Sequence, residues 1–99
     1  MKIEFSPMRH TQKLTLEKRG EALIVNDEML DFSALAEGES VPLLTLGNIW
    51  FAGPVSRENG ELHIPLILPH GADAPQETRF PEALHITRDG PIKVPAFGR

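Results

Sequence analysis

The sequence predicts an all-β protein, a small antiparallel sandwich or partly open barrel of about six to seven strands built from hairpins. Two observations predict it. Apolar and polar residues alternate with period two in one segment after another, and no helical periodicity is sustained over ten residues. Dipeptides suited to tight turns (Asn26-Asp27, Asn59-Gly60, Asp89-Gly90) punctuate those segments. At 99 residues the chain makes one domain, because two cores would each be too small to be stable. Residues 1–99 are therefore read as a single β unit, with 95–99 as a loose tail whose Phe97 is free to dock on a partner.

The first alternating segment is Leu14-Thr15-Leu16-Glu17, with the leucines on one face and Thr15 and Glu17 on the other. If Arg19-Gly20 is a two-residue loop, Lys18 faces Glu21, Leu16 faces Leu23 and Leu14 faces Val25. That register gives an opposite-charge pair beside the turn and an unbroken apolar stripe. Asn26 and Asp27 both tolerate left-handed backbone, and a turn there sets Leu23 opposite Leu30 and Glu21 opposite Phe32. A three-stranded meander over about residues 12–32 follows. Its inner face holds Leu14, Leu16, Leu23, Val25, Leu30 and Phe32.

Residues 33–42 read as a connection in which Ser33 caps one helical turn, Ala34-Leu35-Ala36, ended at Gly38. The next element covers about residues 49–57. Asn59-Gly60 is the strongest hairpin signal in the chain. A two-residue loop there puts Arg57, Val55, Gly53 and Phe51 opposite Leu62, Ile64, Leu66 and Leu68, and Glu58 against Glu61. Pro54 and Pro65 have no N–H to give a ladder, which places them at an edge or a bulge. Residues 69–81 read as a proline-punctuated loop and 83–88 as a final strand. Beyond Asp89-Gly90 a two-residue register opposes Ile86 to Lys93 and breaks the stripe. Either that loop is longer or the last segment pairs elsewhere.

Composition narrows the function classes. With 14 acidic and 10 basic side chains the formal net charge is −4, and the densest basic cluster, Lys18-Arg19 beside Lys13, is interleaved with Glu17 and Glu21. Nucleic-acid binding is disfavoured, because phosphate contacts dominate such affinity and call for a basic patch. Cysteine is absent, which removes disulfides, thiolate nucleophiles and cysteine-ligated zinc. The amino terminus has no apolar leader core, and the longest apolar stretch, Ile64 to Leu68, is interrupted by Pro65 and too short for a bilayer. The expected location is the cytoplasm of a bacterial host, unless the protein leaves inside a larger assembly.

Candidate chemistry concentrates in Pro69-His70-Gly71-Ala72-Asp73-Ala74-Pro75-Gln76-Glu77, where a histidine and two carboxylates share one loop. With His63 or His85 from neighbouring strands, His70 and Asp73 are weak candidates for a divalent metal, although their spacing matches no ligand motif. The ordinary reading of such a loop is a solvated one. No serine lies in a nucleophile elbow or beside a histidine, and every glycine is isolated, so neither a triad nor a phosphate loop is signalled. The sequence thus predicts no enzyme and no cofactor.

Trp50, the one tryptophan, reads first as a core anchor. In the hairpin register above, however, Phe51 shares the leucine face while Trp50 and Ile67 form a second apolar face. A sheet with two apolar faces must bury both, against another sheet or another chain. Trp50, Phe51, Ile67 and His70 are therefore the expected interface residues, with protein, including a second copy of the chain, as the expected partner.

Three stretches carry a resemblance: Asp31-Phe32-Ser33-Ala34-Leu35-Ala36-Glu37-Gly38, Trp50-Phe51-Ala52-Gly53-Pro54-Val55, and Leu66-Ile67-Leu68-Pro69-His70-Gly71-Ala72-Asp73-Ala74-Pro75. They resemble a group of small proteins, without an assigned activity, encoded in phages and prophages of Proteobacteria. The similarity runs from the first strand to Gly90-Pro91. It implies a virion component, in or around the tail, or an assembly accessory, and it carries no catalytic residues. Two alternatives stand beside it: a small metal-binding or hydrolytic enzyme using the His70 loop, and a prophage regulator that binds a host protein.

Overall fold

The computed structural model describes residues 1–98. Among them, short strands and two one-turn helices run in the order β1 (Lys2–Arg9), β2 (Leu16–Arg19), β3 (Ala22–Val25), β4 (Glu28–Asp31), β5 (Ser40–Val41), α1 (Leu43–Leu46), β6 (Val55–Glu58), β7 (Glu61–His70), α2 (Gln76–Arg79), β8 (Leu84–His85) and β9 (Gly90–Ile92). The strands form two open sheets, ordered β5-β6-β7-β1-β8 and β4-β3-β2-β9, and no barrel closes among the described residues. Leu16, Leu23, Val25 and Phe32 from the second sheet and its margins meet Ile3, Leu62, Ile64, Leu66 and Leu68 from the first in one buried cluster. The mostly-strand character matches the expectation. Neither helix is long and apolar enough to cross a membrane.

The expectation of purely antiparallel pairing fails at the centre of the larger sheet. β1 and β7 pair in parallel over eight positions, from Lys2 opposite His63 to Arg9 opposite His70. Parallel neighbours need a long crossover, and here the whole β2–β4 meander supplies it. Along β7 the alternation is clean: Leu62, Ile64, Leu66 and Leu68 are buried, while Glu61, His63, Pro65 and Ile67 are partly exposed. The N–H of His10 donates to the His70 carbonyl (3.1 Å), so even-numbered backbone groups of β1 face β7 and odd-numbered ones face away. Ile3 spends its outward side on β8, which pairs only with Lys2 and Ile3. Pro7 falls on the outward side beyond β8, where a missing N–H breaks no ladder bond.

The β6–β7 hairpin closes as expected, with Asn59 at φ 53° and Gly60 at φ 76° between Glu58 and Glu61. Continued unchanged, that register would set Pro54 against Pro65 at a position where both residues must donate. Neither can. The ladder breaks and resumes two residues displaced: Phe51 bridges Leu66 rather than Leu68, Ala52 donates to the Pro65 carbonyl (3.0 Å) and Ile67 to that of Trp50 (2.7 Å). The expected bulge is therefore present, and it corrects the register on its far side.

In the meander the second turn is as read, with Leu23 opposite Leu30. The first is displaced by two: Leu16 faces Val25 and Arg19 faces Ala22. Gly20, at φ 60°, takes the first loop position, where a glycine-first hairpin turn needs it. A slip of two keeps every side chain on its face, so Leu14, Leu16, Leu23, Val25 and Phe32 remain buried.

Residues 33–42 form no helix at 34–36: the Asp31 carboxylate accepts the Ser33 N–H (2.9 Å) and the Leu35 N–H closes one tight turn on the Phe32 carbonyl (3.1 Å). The single turn forms later as α1, entered from Pro42 and ended by Gly47 in the left-handed conformation. The connection is stapled instead by Arg57, whose guanidinium donates to the carbonyls of Leu35 (2.6 Å) and Phe32 (3.2 Å) and pairs with Glu21. Glu37 reciprocates by accepting the N–H groups of Asn59 and Gly60, both at 2.7 Å.

The expected strand at 83–88 shrinks to β8, extended by a reciprocal pair of bonds between Met1 and Ile86 (3.0 and 2.8 Å). β9 pairs not with it but with β2, Leu16 opposite Ile92, which decides between the two readings left open for this segment. Where the chain crosses between sheets, Asp89 accepts from Lys18 Nζ (3.0 Å) and the Gly20 N–H (3.1 Å). The tail is tied down rather than loose: the Phe97 carbonyl takes the Gly71 N–H (2.7 Å), and the Ala96 carbonyl takes the hydroxyl of buried Thr78. Arg99, the end of the expected tail, lies outside the described residues.

Two measurements check this scheme. Replacing Arg57 by Ala leaves the carbonyls of Leu35 and Phe32 without their partly buried donor, and should lower unfolding stability by about 1–3 kcal/mol in urea titration. The Lys18 ammonium, and after it the Gly20 N–H, hold the Asp89 carboxyl below the usual carboxylate range. Its contribution is thus present above the unfolded carboxylate value of about 3.9 and lost as pH falls through the lower folded value. The melting-temperature difference between wild type and Asp89→Asn should be largest near neutrality and shrink as pH falls below the ordinary carboxylate range; a difference that does not change with pH would remove the ion pair as its source.

Candidate interaction surface

Trp50 and Phe51, expected at a contact surface, are both in the chain's own core, 6% and 3% exposed. The two-residue step does not account for this, because an even displacement keeps parity; residues 49–50 form a turn rather than the expected strand. The Trp50 N–H donates to Asn48 Oδ1 (2.8 Å), and its indole packs on the His10 ring, centroids 5.0 Å apart. Phe51 meets Phe32 edge to face at 6.5 Å, joining the two sheets. Ile67 is half-buried, and His70 places Nδ1 2.9 Å from the Gly71 carbonyl. The second apolar face read from the hairpin register is thus largely closed within one chain.

The four weak metal candidates are spread out. His63 and His70 sit seven residues apart on β7, about 23 Å along an extended strand. His63 and His85 both lie in register with Lys2 across β1, so an ammonium-bearing residue stands between them. Asp73 is exposed in the turn after β7. No group of three or more potential ligands gathers among the described residues. Beyond His70 the surface carries a depression lined by Arg9, His10, Thr11, Gly71, Ala72 and Phe97, with Lys13 Nζ 5.9 Å from the Phe97 ring centre.

Apolar exposure is concentrated elsewhere, on an excursion over residues 43–49, of which the sequence reading assigned only Ile49, to a strand. Between β5 and the bulge the chain carries Leu43, Leu44 and Ile49 on the surface; Leu44 is 96% exposed and Ile49 71%. Leu46 from the same excursion is buried and anchors it to the core. Asn48 ties it to the second sheet by donating its side-chain amide to Glu28 Oε1 on β4 (3.4 Å). β4 adds an exposed Met29 and, with Asp27, three carboxylates. The Ser33 N–H holds the Asp31 carboxyl below the ordinary range, so it stays anionic. Four apolar side chains in seven residues are a sequence signal, but one that reads as core until the fold shows which leucine turns inward.

In comparison with known proteins, no family model, no curated protein and no solved structure matches this chain.

Because Trp50 is buried in the core cluster with its ring against His10, Trp50→Ala should lower unfolding stability by about 3–5 kcal/mol. Denaturation followed by far-ultraviolet circular dichroism measures it. An unchanged midpoint would return the indole to the surface.

Proposed function

We propose that this chain is a non-enzymatic binding module of phage or prophage origin, acting through protein–protein contacts as a tail-associated virion component or an assembly accessory. The scaffold we infer is a small two-sheet sandwich, whose contact surface is the 43–49 excursion rather than the face around Trp50. One observation carries the reading: Leu44 and Ile49 stand exposed on a segment pinned by buried Leu46 and by the Asn48–Glu28 bond. A lone exposed leucine is ordinary on a protein surface. An anchored cluster is what a partner buries, and removing such side chains from water is the main favourable term in association. The phage assignment is supported by the resemblance of residues 31–38, 50–55 and 66–75, and by nothing else.

A photo-reactive amino acid at position 44 tests this in cells producing the protein from its own locus, with the same group at exposed Glu82 as control. The expected result is one discrete protein adduct from position 44, absent from 82, which co-fractionates with assembled particles. Light scattering after size exclusion identifies an adduct with a second copy, which should then appear as a dilution-resistant oligomer. No adduct, or equal labelling at both positions, would overturn the contact surface; an adduct with a host protein outside particles would overturn the virion role.

A further inference from the structure

Each sheet has two edges, and three of the four are blunted. β5 has two residues and runs into Pro42, β8 has two and leaves the rest of β1 open but interrupted by Pro7, and β9 has three with Pro91 at its centre. Short edge strands and prolines are the usual devices that stop a sheet from adding a foreign strand. β4 carries neither device: it has four residues, Glu28-Met29-Leu30-Asp31, with no proline and no lysine.

Its backbone is open in a definite way. The Phe32 N–H donates to the Glu21 carbonyl (3.0 Å), which makes 21 and 32 a hydrogen-bonded pair. In antiparallel pairing bonded and non-bonded pairs alternate, so Leu23–Leu30 is bonded while Ala22–Asp31 and Ile24–Met29 are not. The N–H and C=O groups of Met29 and Asp31 therefore point away from β3, and no backbone partner meets them among the described residues.

The charge around that edge selects the occupant. Asp27, Glu28 and Asp31 form no salt bridge among the described residues, and Glu28 is met only by the neutral amide of Asn48. A second copy paired edge to edge would bring these carboxylates against their own kind, which is destabilising at directly opposed positions. A strand with basic side chains would meet opposite charge. Its apolar side chains would find exposed Met29, and Ile49 beside the Asn48 that holds Glu28.

We propose that β4 accepts an extended, basic segment of a partner protein as an added antiparallel strand, bonded at Met29 and Asp31. This deepens the binding role proposed above and rests on it. Main-chain bonds set the register, and the carboxylates exclude acidic strands and further copies of the chain.

The test uses the full-length protein and two end-blocked synthetic peptides, one alternating lysine with valine and one alternating glutamate with valine. Amide hydrogen exchange is followed by NMR. At saturation the lysine peptide should slow exchange at Met29 and Asp31 by about tenfold or more, an effect that weakens with salt. The glutamate peptide should leave both amides unchanged. Met29→Pro removes the outward N–H without touching a β3 bond; it should keep the core amides protected and abolish the effect at Asp31. Slowing by both peptides alike, survival of the effect in Met29→Pro, or no slowing at either amide would overturn the proposal. Cross-linking at position 44 is independent of these amides, so its success alongside their silence would leave the binding role standing and remove only the added strand.

Discussion

The parallel pairing of β1 with β7 is the constraint on which the rest of this structure depends. β7 is the longest strand and carries four of the most deeply buried side chains, and β1 covers one of its two edges along eight positions. With that edge taken, the β6 hairpin must use the other, and β8 can enter the sheet only beyond β1. The meander between β1 and β7 is then left over as a separate layer, which places its leucine stripe against β7. A buried stripe on one sheet and a buried stripe on the other are complementary demands, and one shared core meets both.

Prolines determine where that sheet stops. Pro7 lies on the open side of β1, where no hydrogen bond is owed. Pro54 and Pro65 oppose each other across a register that both would have to donate into, and the strand steps over them by two residues. Beyond them residues 49–50 form a turn, in which Trp50 is covered by the His10 ring while Ile49 stays exposed.

What was legible in the sequence was local. Asn59-Gly60 and Asn26-Asp27 specify left-handed backbone at two adjacent positions, and both hairpins form in the register their turns dictate. The slip at Gly20 cost two positions but no face, since a period of two is blind to even displacements. The illegible parts were those decided at a distance. β1 carries few deeply buried side chains and a mid-strand proline, and its partner lies at the far end of the chain, so nothing near Lys2–Arg9 announces a central strand. Trp50 was read as a surface residue because the ring that covers it, that of His10, stands just past a strand the sequence did not announce. α1 is one turn long, too short to display a helical period.

The closure of β1 onto β7 also has a consequence in time. During synthesis Lys2–Arg9 emerges first and finds none of its final neighbours, because His63 to His70 have not yet been made. The meander can form from local turns as soon as it is exposed, and the Asn59-Gly60 hairpin can follow, each closing a short loop quickly. A strand made before its partner is then seated late, after the meander and the hairpin and ahead of β8. It seats by the slowest kind of contact, a parallel pairing between remote segments. Until then β7 presents an uncovered, strongly apolar edge, and the interval between its synthesis and the arrival of β1 is when this protein is most exposed to mispairing with another chain.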